Sequence, residues 1–295
     1  MIRSFSHTEF PLELLLERKA APISVVLPAR EVADTVGSII ERVLALDGLA
    51  DQVLVVDAAS KDGTADVAAR AGAEVVQEAE LVPEFGRVLG KGDAMWRALG
   101  AVRGEVVLYL DADTRDFQAS FATGLLGPLV VHPELQLVKA DFDRPYLLES
   151  GGLLPGEGGR VTELAARPLL SAFYPELAAF GQPLAGELAA RRTLLESISF
   201  STGYAVETAM LLDSWEAVGV RAMAQVHVGE RRNCHQPLPE LGPMAYAVLR
   251  VILERLRREG RLLDDPAPPL RTADGRLVSV ELVERPPASS LRAPA

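Results

Sequence analysis

The first half of the chain alternates short runs rich in Val, Ile and Leu with longer segments whose apolar residues recur about every 3.6 positions. The short runs predict strands at 23–27, 52–56, 74–77 and 106–110, and the longer segments predict helices at 35–46, 64–71 and 91–102. Such alternation is typical of an α/β fold, because each crossover between parallel strands needs a helix. We therefore expect a Rossmann-like, mostly parallel sheet flanked by helices.

The second half has fewer strands and more helices. Its patterns predict helices at 117–131, from Val161 onward, at 204–218 and at 244–258, strands at 136–140 and 223–228, and a flexible Gly-rich stretch at 151–159. We divide the chain into an N-terminal extension (1–20), two halves of one domain (21–141 and 142–262) and a tail (263–295). In the tail, Asp274-Gly275 predicts a hairpin turn, and the Pro-, Ser- and Ala-rich end predicts disorder.

Composition excludes several classes of protein. The chain carries 30 Lys and Arg against 41 Asp and Glu, a formal net charge of −11, so it lacks the positive charge with which general nucleic-acid binders neutralise phosphates. Its single cysteine, Cys234, can form neither an internal disulfide nor a zinc site of paired cysteines. No window reaches the roughly 18 apolar residues of a membrane span, and residues 1–18 do not resemble a signal peptide. We expect a cytoplasmic protein that holds any anionic ligand in a local site.

Polar residues follow the predicted strands at the points where those strands end. They occupy 28–31 after the first strand, 57–64 after the second, 91–92 further along and 111–113 after the strand at 106–110. In an open α/β sheet, ligands bind in the crevice at the carboxyl ends of the strands. The sequence therefore predicts that these four groups of residues share one ligand site.

Asp111 and Asp113 come directly after a continuous apolar strand, with one residue between them. Two carboxylates at this spacing are suited to a hard cation such as Mg²⁺ or Mn²⁺, which could bridge two phosphates and neutralise a leaving diphosphate. Taken alone, Asp-X-Asp is equally well interpreted as a turn with two exposed acids. The position at a strand end, with Lys91 upstream, favours the metal site.

Four segments of the first half resemble the nucleotide-diphosphate-sugar glycosyltransferases of the GT-A fold. They are Val-Val-Leu-Pro-Ala-Arg-Glu (25–31), Val-Val-Asp-Ala-Ala-Ser-Lys-Asp-Gly-Thr (55–64), Gly-Lys-Gly-Asp-Ala-Met-Trp (90–96) and Leu-Tyr-Leu-Asp-Ala-Asp (108–113). Motifs of the second half narrow the resemblance to the small retaining family of glucosyl-3-phosphoglycerate and mannosyl-3-phosphoglycerate synthases. These motifs are Gln-Leu-Val-Lys (136–139), Gly-Arg-Val-Thr-Glu-Leu (159–164), Arg-Pro-Leu-Leu (167–170), Gln-Pro-Leu-Ala-Gly-Glu (182–187) and Gly-Tyr-Ala-Val-Glu (203–207).

The resemblance implies a role for each matching position. Nucleotide-sugar binding falls to Pro28, Ala29, Arg30, Glu31, Asp57, Ala59, Lys91, Asp111, Ala112 and Tyr204. Acceptor binding falls to Gly159, Arg160, Val161, Thr162 and Arg231, where backbone N–H groups at a helix start would hold the phosphoglycerate. Catalysis falls to Asp113 as the principal metal ligand, to Lys91 on the donor diphosphate and to Glu207 facing the sugar. Without the Gly203-Tyr204 match, Glu207 would be interpreted as an ordinary exposed helical carboxylate.

The chain departs from the family pattern at three places. Arg30-Glu31 stands where the family has an Asn before its acids, and Ala112 stands where the family has Ser between the metal-site aspartates. The ungapped match also places Asn233 where the family has a His ligand to the metal, with His235 two residues later. Asn233 could complete the metal site through its carbonyl oxygen and His235 through a ring nitrogen, and a surface position is the alternative for His235.

The resemblance implies retaining, metal-dependent transfer of a hexose to the 2-hydroxyl of 3-phosphoglycerate, a step towards a compatible solute or a polysaccharide precursor. GDP-mannose is slightly favoured as donor over UDP-glucose or GDP-glucose, since the departures lie near the donor. The family also implies a homodimer. Alternatives are a GT-A enzyme with another acceptor, a nucleotidyltransferase, and an inactive binding protein that keeps the fold.

Among single residues, we expect Trp96 to lie in the core and His7 to belong to a mobile terminus.

Overall fold

The structure is a computed structural model. It describes residues 2–147, 153–154, 159–231, 237–262, 270–271, 277–279 and 283–291. The predicted Gly-rich stretch at 151–159 and the segment that contains Asn233, Cys234 and His235 therefore lie largely or wholly outside the described residues.

The helices and strands follow the predicted α/β order. The α-helices of the described ranges are α1 (Leu12–Arg18), α2 (Val36–Leu44), α3 (Thr64–Arg70), α4 (Lys91–Ala98), α5 (Ala119–Val131), α6 (Arg167–Phe173), α7 (Arg192–Ser197), α8 (Val206–Val218) and α9 (Leu238–Arg258). The strands are β1 (Arg3–Ser6), β2 (Ile23–Ala29), β3 (Gln52–Asp57), β4 (Glu74–Gln77), β5 (Val106–Tyr109), β6 (Leu137–Asp143), β7 (Tyr146–Leu147), β8 (Leu153–Leu154), β9 (Leu188–Arg191), β10 (Phe200–Ser201), β11 (Met223–Glu230), β12 (Leu270–Arg271), β13 (Leu277–Val278) and β14 (Glu284–Arg285). No helix of these ranges is both long enough and apolar enough to cross a bilayer.

Eight strands form the central sheet, in the order β1-β11-β6-β9-β5-β2-β3-β4. Every neighbouring pair is parallel except the two that involve β9, which runs antiparallel to both β5 and β6. The prediction of a mostly parallel sheet is thus confirmed, but the sequence patterns missed β9. Its sequence Leu-Ala-Ala-Arg carries few residues with a strong preference for strands.

The register of the sheet brings the predicted polar groups to one edge. Ala29 at the end of β2 lies beside Asp57 at the end of β3, and the N–H of Leu110 donates to the carbonyl of Val26. Strands β2 and β3 thus end at the same level, and β5 ends at Tyr109 opposite Val26, so Asp111 follows within two residues of the strand end. Apolar clusters cover both faces of the sheet, so these strand ends rest on a packed core.

The N-terminal segment is part of the domain. Strand β1 pairs with β11 at the edge of the sheet, and the Nδ1 atom of His7 lies 3.0 Å from the carbonyl oxygen of His227. Phe10 of this segment packs directly on helix α5 at Gly127. A Cβ atom at Gly127 would lie 2.1 Å from the Phe10 ring, so a larger residue would prevent this contact. The prediction of a mobile terminus at His7 is therefore wrong, since backbone pairing and aromatic packing hold it.

Two other boundaries differ from prediction. Helix α9 begins at Leu238, six residues before the predicted start, because Pro239 falls in its first turn where a missing N–H costs nothing. In the tail, β12 pairs antiparallel with β13 on either side of the predicted turn. Strand β14 pairs with β10, so the expected disorder does not hold for residues 283–291.

Candidate active site

A cleft of about 640 Å³ opens at the carboxyl edge of the sheet. Predicted site residues that line it are Pro28, Ala29, Arg30, Lys91, Asp111, Ala112, Asp113, Val161, Tyr204 and Glu207. The remaining described ones, Glu31, Asp57, Ala59, Gly159, Arg160, Thr162 and Arg231, lie next to these but outside its lining. The four predicted groups of polar residues thus meet in one cavity, as the rule for α/β sheets anticipates.

Lys91 begins helix α4 and joins two carboxylates that come from distant parts of the chain. Its Nζ atom donates to Oδ1 of Asp111, which follows β5, and lies 3.1 Å from Oε1 of Glu207 on α8. Burial acts to lower the pKa of Lys91, but the charges of Asp111 and Glu207 outweigh it and raise the pKa above its ordinary value. The lysine is therefore a fixed positive charge in the cleft at any physiological pH.

Asp111 lies between two cations. Its Oδ2 atom accepts a hydrogen bond of 2.9 Å from Nη2 of Arg231, in addition to the bond from Lys91. Burial acts to raise the pKa of Asp111, but Lys91 and Arg231 outweigh it and hold the pKa well below its usual range. Both oxygens of Asp111 are thus engaged, which suits a residue that organises the site.

Arg231 lies beneath the cleft, where its side chain is only 4% exposed. Besides Asp111, it pairs with the buried carboxylate of Glu187 and lies 3.8 Å from Oδ1 of Asp113. Burial raises the pKa of Glu187, against the opposing effect of Arg231. The structure therefore places Arg231 as the buried partner of these acids, and not in the lining where an acceptor-binding residue was expected.

Asp113 is the open carboxylate of the site. Its side chain is 68% exposed, and the Arg231 contact is its one ion pair among the described residues. A hard divalent cation prefers oxygen ligands, so Asp113 fits the predicted role of principal metal ligand better than the doubly engaged Asp111 does. The predicted additional ligands, Asn233 and His235, lie outside the described residues. Within the described part of the chain no group of three His, Cys, Asp or Glu side chains is arranged to hold a metal ion by itself.

The loops after β2 and β3 are cross-linked to each other. Oε1 of Glu31 accepts a hydrogen bond from the backbone N–H of Lys61, and the N–H of Glu31 donates to Oγ of Ser60. Glu31 and Ala59 both have φ of 53°, an uncommon backbone conformation for residues other than glycine. The exposed side chain of Glu31 therefore holds the two loops together beside the cleft. The sequence analysis had assigned Glu31 to contact with the nucleotide sugar.

Asp57 is fully buried at the end of β3. Its Oδ2 atom accepts hydrogen bonds from the N–H of Ser60 and from Nε2 of Gln77, whereas Oδ1 has no partner among the described residues. A buried carboxylate oxygen without a donor is costly.

The opposite wall of the cleft carries the predicted acceptor segment. Gly159 has φ of 73°, its carbonyl accepts the N–H of Glu163, and Val161 faces the cleft. A π-helical turn at Thr162–Ala166 then leads into α6. The helical segment that begins here leaves its first backbone N–H groups without helical acceptors.

Sequence reasoning missed Arg144, which also lines this wall. Its burial, together with the nearby charge of Arg231, lowers the pKa of Arg144 from its ordinary value, and no described residue forms an ion pair with it. Arg144 follows directly after β6, so the rule applied to the other strand ends could have found it.

Gly186 and Lys139 support the cluster from behind. A Cβ atom on Gly186 would lie 2.2 Å from Nζ of Lys91, so only glycine leaves room for the Lys91–Asp111 pair. The carbonyl of the preceding Ala185 accepts a hydrogen bond of 2.7 Å from the buried Nζ of Lys139. Burial lowers the pKa of Lys139 to about 8. Both residues lie in motifs noted above, but only their place in three dimensions shows what they contact.

Comparison with known proteins agrees with this geometry. Residues 24–124 match the model of the Glycosyl transferase family 2. The chain is 44% identical to the glucosyl-3-phosphoglycerate synthase of Mycolicibacterium paratuberculosis over 82% of this chain and 75% of that protein. The crystal structure of mannosyl-3-phosphoglycerate synthase from Rubrobacter xylanophilus matches 98% of this chain and 97% of its own, with 50% identity and a TM-score of 0.88.

A second solved structure is glucosyl-3-phosphoglycerate synthase from Mycobacterium tuberculosis, in complex with Mn²⁺, UDP and glucosyl-3-phosphoglycerate. It is 37% identical, covers 99% of this chain and all of its own, and has a TM-score of 0.88. These similarities confirm the GT-A fold that the sequence motifs had implied. The chain belongs to the glycosyltransferase family of glucosyl- and mannosyl-3-phosphoglycerate synthases.

Proposed function

We propose that this protein transfers a hexose from a nucleoside diphosphate sugar to the 2-hydroxyl of 3-phosphoglycerate, with retention of the anomeric configuration. One observation carries the proposal. A single cleft holds the Lys91–Asp111–Glu207 cluster and the open Asp113 on one wall, and Arg144 with the 159–162 segment on the other. This arrangement can bring a diphosphate donor and an anionic acceptor together.

The donor wall suits a diphosphate. Lys91 supplies a permanent positive charge, and Asp113 is free to hold Mg²⁺ or Mn²⁺. A divalent cation bound there would neutralise the charge that develops on the leaving diphosphate. The relative from Mycobacterium tuberculosis, solved with Mn²⁺ and UDP, supports a metal-dependent donor site.

GDP-mannose is our preferred donor, and UDP-glucose and GDP-glucose are the alternatives. The identity of 50% to a mannosyl-3-phosphoglycerate synthase, against 37% to a solved glucosyl-3-phosphoglycerate synthase, supports this order. Asp57, which lies next to the cleft lining, does not distinguish the two bases, since guanine and uracil both offer a ring N–H group.

The acceptor wall suits a small anion. Arg144 lines it without a described ion partner, and the backbone N–H groups at the start of the helical segment favour negative charge. These groups would hold the phosphate and carboxylate of 3-phosphoglycerate, with its 2-hydroxyl turned towards the sugar. Tyr204, whose ring is largely exposed in the cleft, would cover the hexose.

We propose a front-face substitution. The bond between the anomeric carbon and the diphosphate breaks, the 2-hydroxyl oxygen bonds to that carbon from the same face, and its proton passes to the leaving diphosphate. Glu207, held by Lys91, orients the sugar hydroxyls and stabilises positive charge on the ring. Catalysis then rests on positioning and on electrostatic stabilisation of the leaving group.

The test measures nucleoside diphosphate released from GDP-mannose, GDP-glucose and UDP-glucose in separate reactions, with Mg²⁺ or Mn²⁺ and with or without 3-phosphoglycerate. Release that requires both metal and 3-phosphoglycerate supports the proposal and identifies the donor. Asp113→Asn should lower the rate by about 10²–10³-fold, whereas Asp116→Asn, an exposed acid three residues later, should leave it unchanged.

Other outcomes would contradict parts of the proposal. Release that does not respond to 3-phosphoglycerate would refute the acceptor, and release of pyrophosphate from a nucleoside triphosphate and a sugar phosphate would indicate a nucleotidyltransferase. Absence of any metal-dependent turnover would favour an inactive binding protein.

We also propose a homodimer, which light scattering on the purified protein would test.

A further inference from the structure

Residues 283–286, which we call the C-terminal clasp, contact both helices that carry the charged centre of the cleft. Strand β14 of the clasp pairs with β10, which leads into Tyr204 and α8. The carbonyl of Pro286 accepts a hydrogen bond of 2.8 Å from Nε1 of Trp96 on α4. The clasp is 65 or more residues away in sequence from either helix, so tertiary packing and not local sequence places it there.

On the α4 side, Arg285 forms a buried bidentate ion pair with Asp93, with distances of 2.9 and 2.8 Å. Asp93 is fully buried and lies two residues after Lys91. Its Oδ2 atom also accepts the backbone N–H of Leu89, which fixes the turn that leads into Lys91. Arg97 adds only one contact of 3.2 Å to Asp93, since its other nitrogens bond to backbone carbonyls. Arg285 is therefore the main counterion of Asp93.

On the α8 side, the N–H of Thr202 donates to the carbonyl of Val283. Glu284 forms an ion pair of 2.6 Å with Arg255, which in turn bonds to Asp213 on α8 through two hydrogen bonds. The same clasp thus reaches the helix that carries Glu207, through one strand pairing and one chain of ion pairs.

The two sides meet directly below the cleft. The N–H of Gly203 donates to the carbonyl of Leu89. Gly92 of α4 packs so closely on β10 that an added Cβ would lie 2.0 Å from the carbonyl oxygen of Ser201. A small shift of either segment would therefore change the distance of 3.1 Å between Lys91 and Glu207.

We propose that Arg285 is a positioning residue, which acts through Asp93 and the C-terminal clasp to set Lys91 against Glu207. Arg285 itself does not line the cleft. The proposal rests on the proposed function only for its kinetic readout, since the coupling between clasp and cleft is a property of the folded chain.

The experiment uses the full-length protein with Arg285→Met, and with Arg285→Lys as a variant that keeps the charge and loses the bidentate geometry. Arg103→Met is the matched control, because Arg103 forms an exposed bidentate pair with Glu74 away from α4 and α8. All variants are made in a Trp215→Phe background, so that the fluorescence of Trp96 reports whether the clasp is seated. Amide hydrogen exchange is then followed in 89–93 and 202–207, with 159–166 as the internal reference.

We expect Arg285→Met to shift Trp96 emission to longer wavelength and to speed exchange in 89–93 and 202–207 by about tenfold or more, with little change in 159–166. We expect kcat to fall by about tenfold to a hundredfold, while KM for 3-phosphoglycerate changes by less than about threefold. Arg285→Lys should show the same pattern at smaller amplitude, and it serves alone if Arg285→Met does not fold.

Wild-type exchange in both segments with the clasp released would overturn the proposal, and so would faster exchange with an unchanged kcat. A fall in kcat accompanied by an equally large rise in KM for 3-phosphoglycerate would indicate general loosening and would overturn it too. If the parent turns over no donor with 3-phosphoglycerate, the proposed function fails, while the exchange data still decide whether Arg285 positions these segments.

Discussion

Helix α4 takes part in two ion clusters that use the same chemistry and differ in what they leave free. Lys91 belongs to the cleft cluster with Asp111, Glu207 and Arg231, and Asp93 belongs to the clasp cluster with Arg97 and Arg285. Residues two apart on a helix face different sides. One side of α4 therefore faces ligand and the other faces the core.

The clasp cluster is complete, because the buried Asp93 has both oxygens bonded to guanidinium or backbone groups. The cleft cluster is incomplete, since Asp113 beside it is mostly exposed and Lys91 is partly exposed. A complete buried cluster stabilises a fold, whereas an incomplete one retains charge for a ligand. Substitutions in the cleft should therefore cost activity with little loss of stability, whereas substitutions in the clasp should cost stability in addition to the positioning of Lys91.

The largest effect is expected for Lys91→Met. Loss of the fixed charge beside the leaving diphosphate should lower kcat/KM by about 10³-fold, while the midpoint of urea unfolding changes little. Steady-state release of nucleoside diphosphate and urea titration check the two parts. Arg103→Met, which removes an exposed ion pair with Glu74, is the control and should change neither. A stability loss equal to that of a clasp variant would break the comparison.

Asp93→Asn should lower the stability of the fold, which Lys91→Met leaves nearly unchanged. It leaves the buried Arg285 guanidinium without its carboxylate, and breaking one partner of a buried pair typically costs about 3–5 kcal/mol. Urea titration measures the loss in the free energy of unfolding, with the exposed Glu41→Gln on α2 as control. A loss below about 1 kcal/mol would mean that the clasp cluster contributes little to stability.

Gly186→Ala tests whether activity depends on the contact between Lys91 and Asp111 in the cleft cluster. The added methyl group would displace Nζ of Lys91 from Asp111, so we expect kcat to fall by about tenfold to a hundredfold. Gly100→Ala is the control, because its Cβ would meet only a backbone oxygen at 3.3 Å. Wild-type kcat in Gly186→Ala would show that the Lys91–Asp111 contact is dispensable.

The smallest effect is expected at Lys139, where the free energy of unfolding should depend on pH. Burial lowers its pKa to about 8, against 10.5 for an ordinary lysine, so between these values the unfolded chain binds more protons than the folded chain. Stability should therefore rise with pH across this window, by about 1–3 kcal/mol relative to Lys139→Met. Urea titrations of both proteins at pH 7.5 to 10 check it, and a constant difference would show that Lys139 keeps its charge.

The sequence predicted most of the donor side. The apolar run at 106–110 predicted that Asp111 and Asp113 follow a strand at the edge of the sheet. The family resemblance predicted that Lys91 and Glu207 lie in the same site, and all four residues line the cleft. The positions of the two aspartates were predictable because the carboxyl ends of parallel strands meet at one edge of the sheet. Trp96 in the core was predicted for a different reason, namely its place on a predicted helix.

What the sequence could not predict depends on pairings between distant segments. Asp93 and Arg285 are 192 positions apart, and neither stands in a pattern that indicates its partner. Arg231 was expected at the acceptor, but Glu187 and Asp111 draw it beneath the cleft. Strand β9 was missed because its sequence is short and alanine-rich, and only its two neighbours in the sheet make it a strand.

The pairing of β1 with β11 has a practical consequence for handling the protein. Strand β1 covers the edge of the central sheet, and β11 would otherwise present a row of free backbone N–H and C=O groups. An uncovered edge strand is a template for aggregation through edge-to-edge pairing. Shortened versions that begin after Phe10 should therefore lose solubility before they lose the cleft, and affinity tags are better separated from β1 by a polar linker.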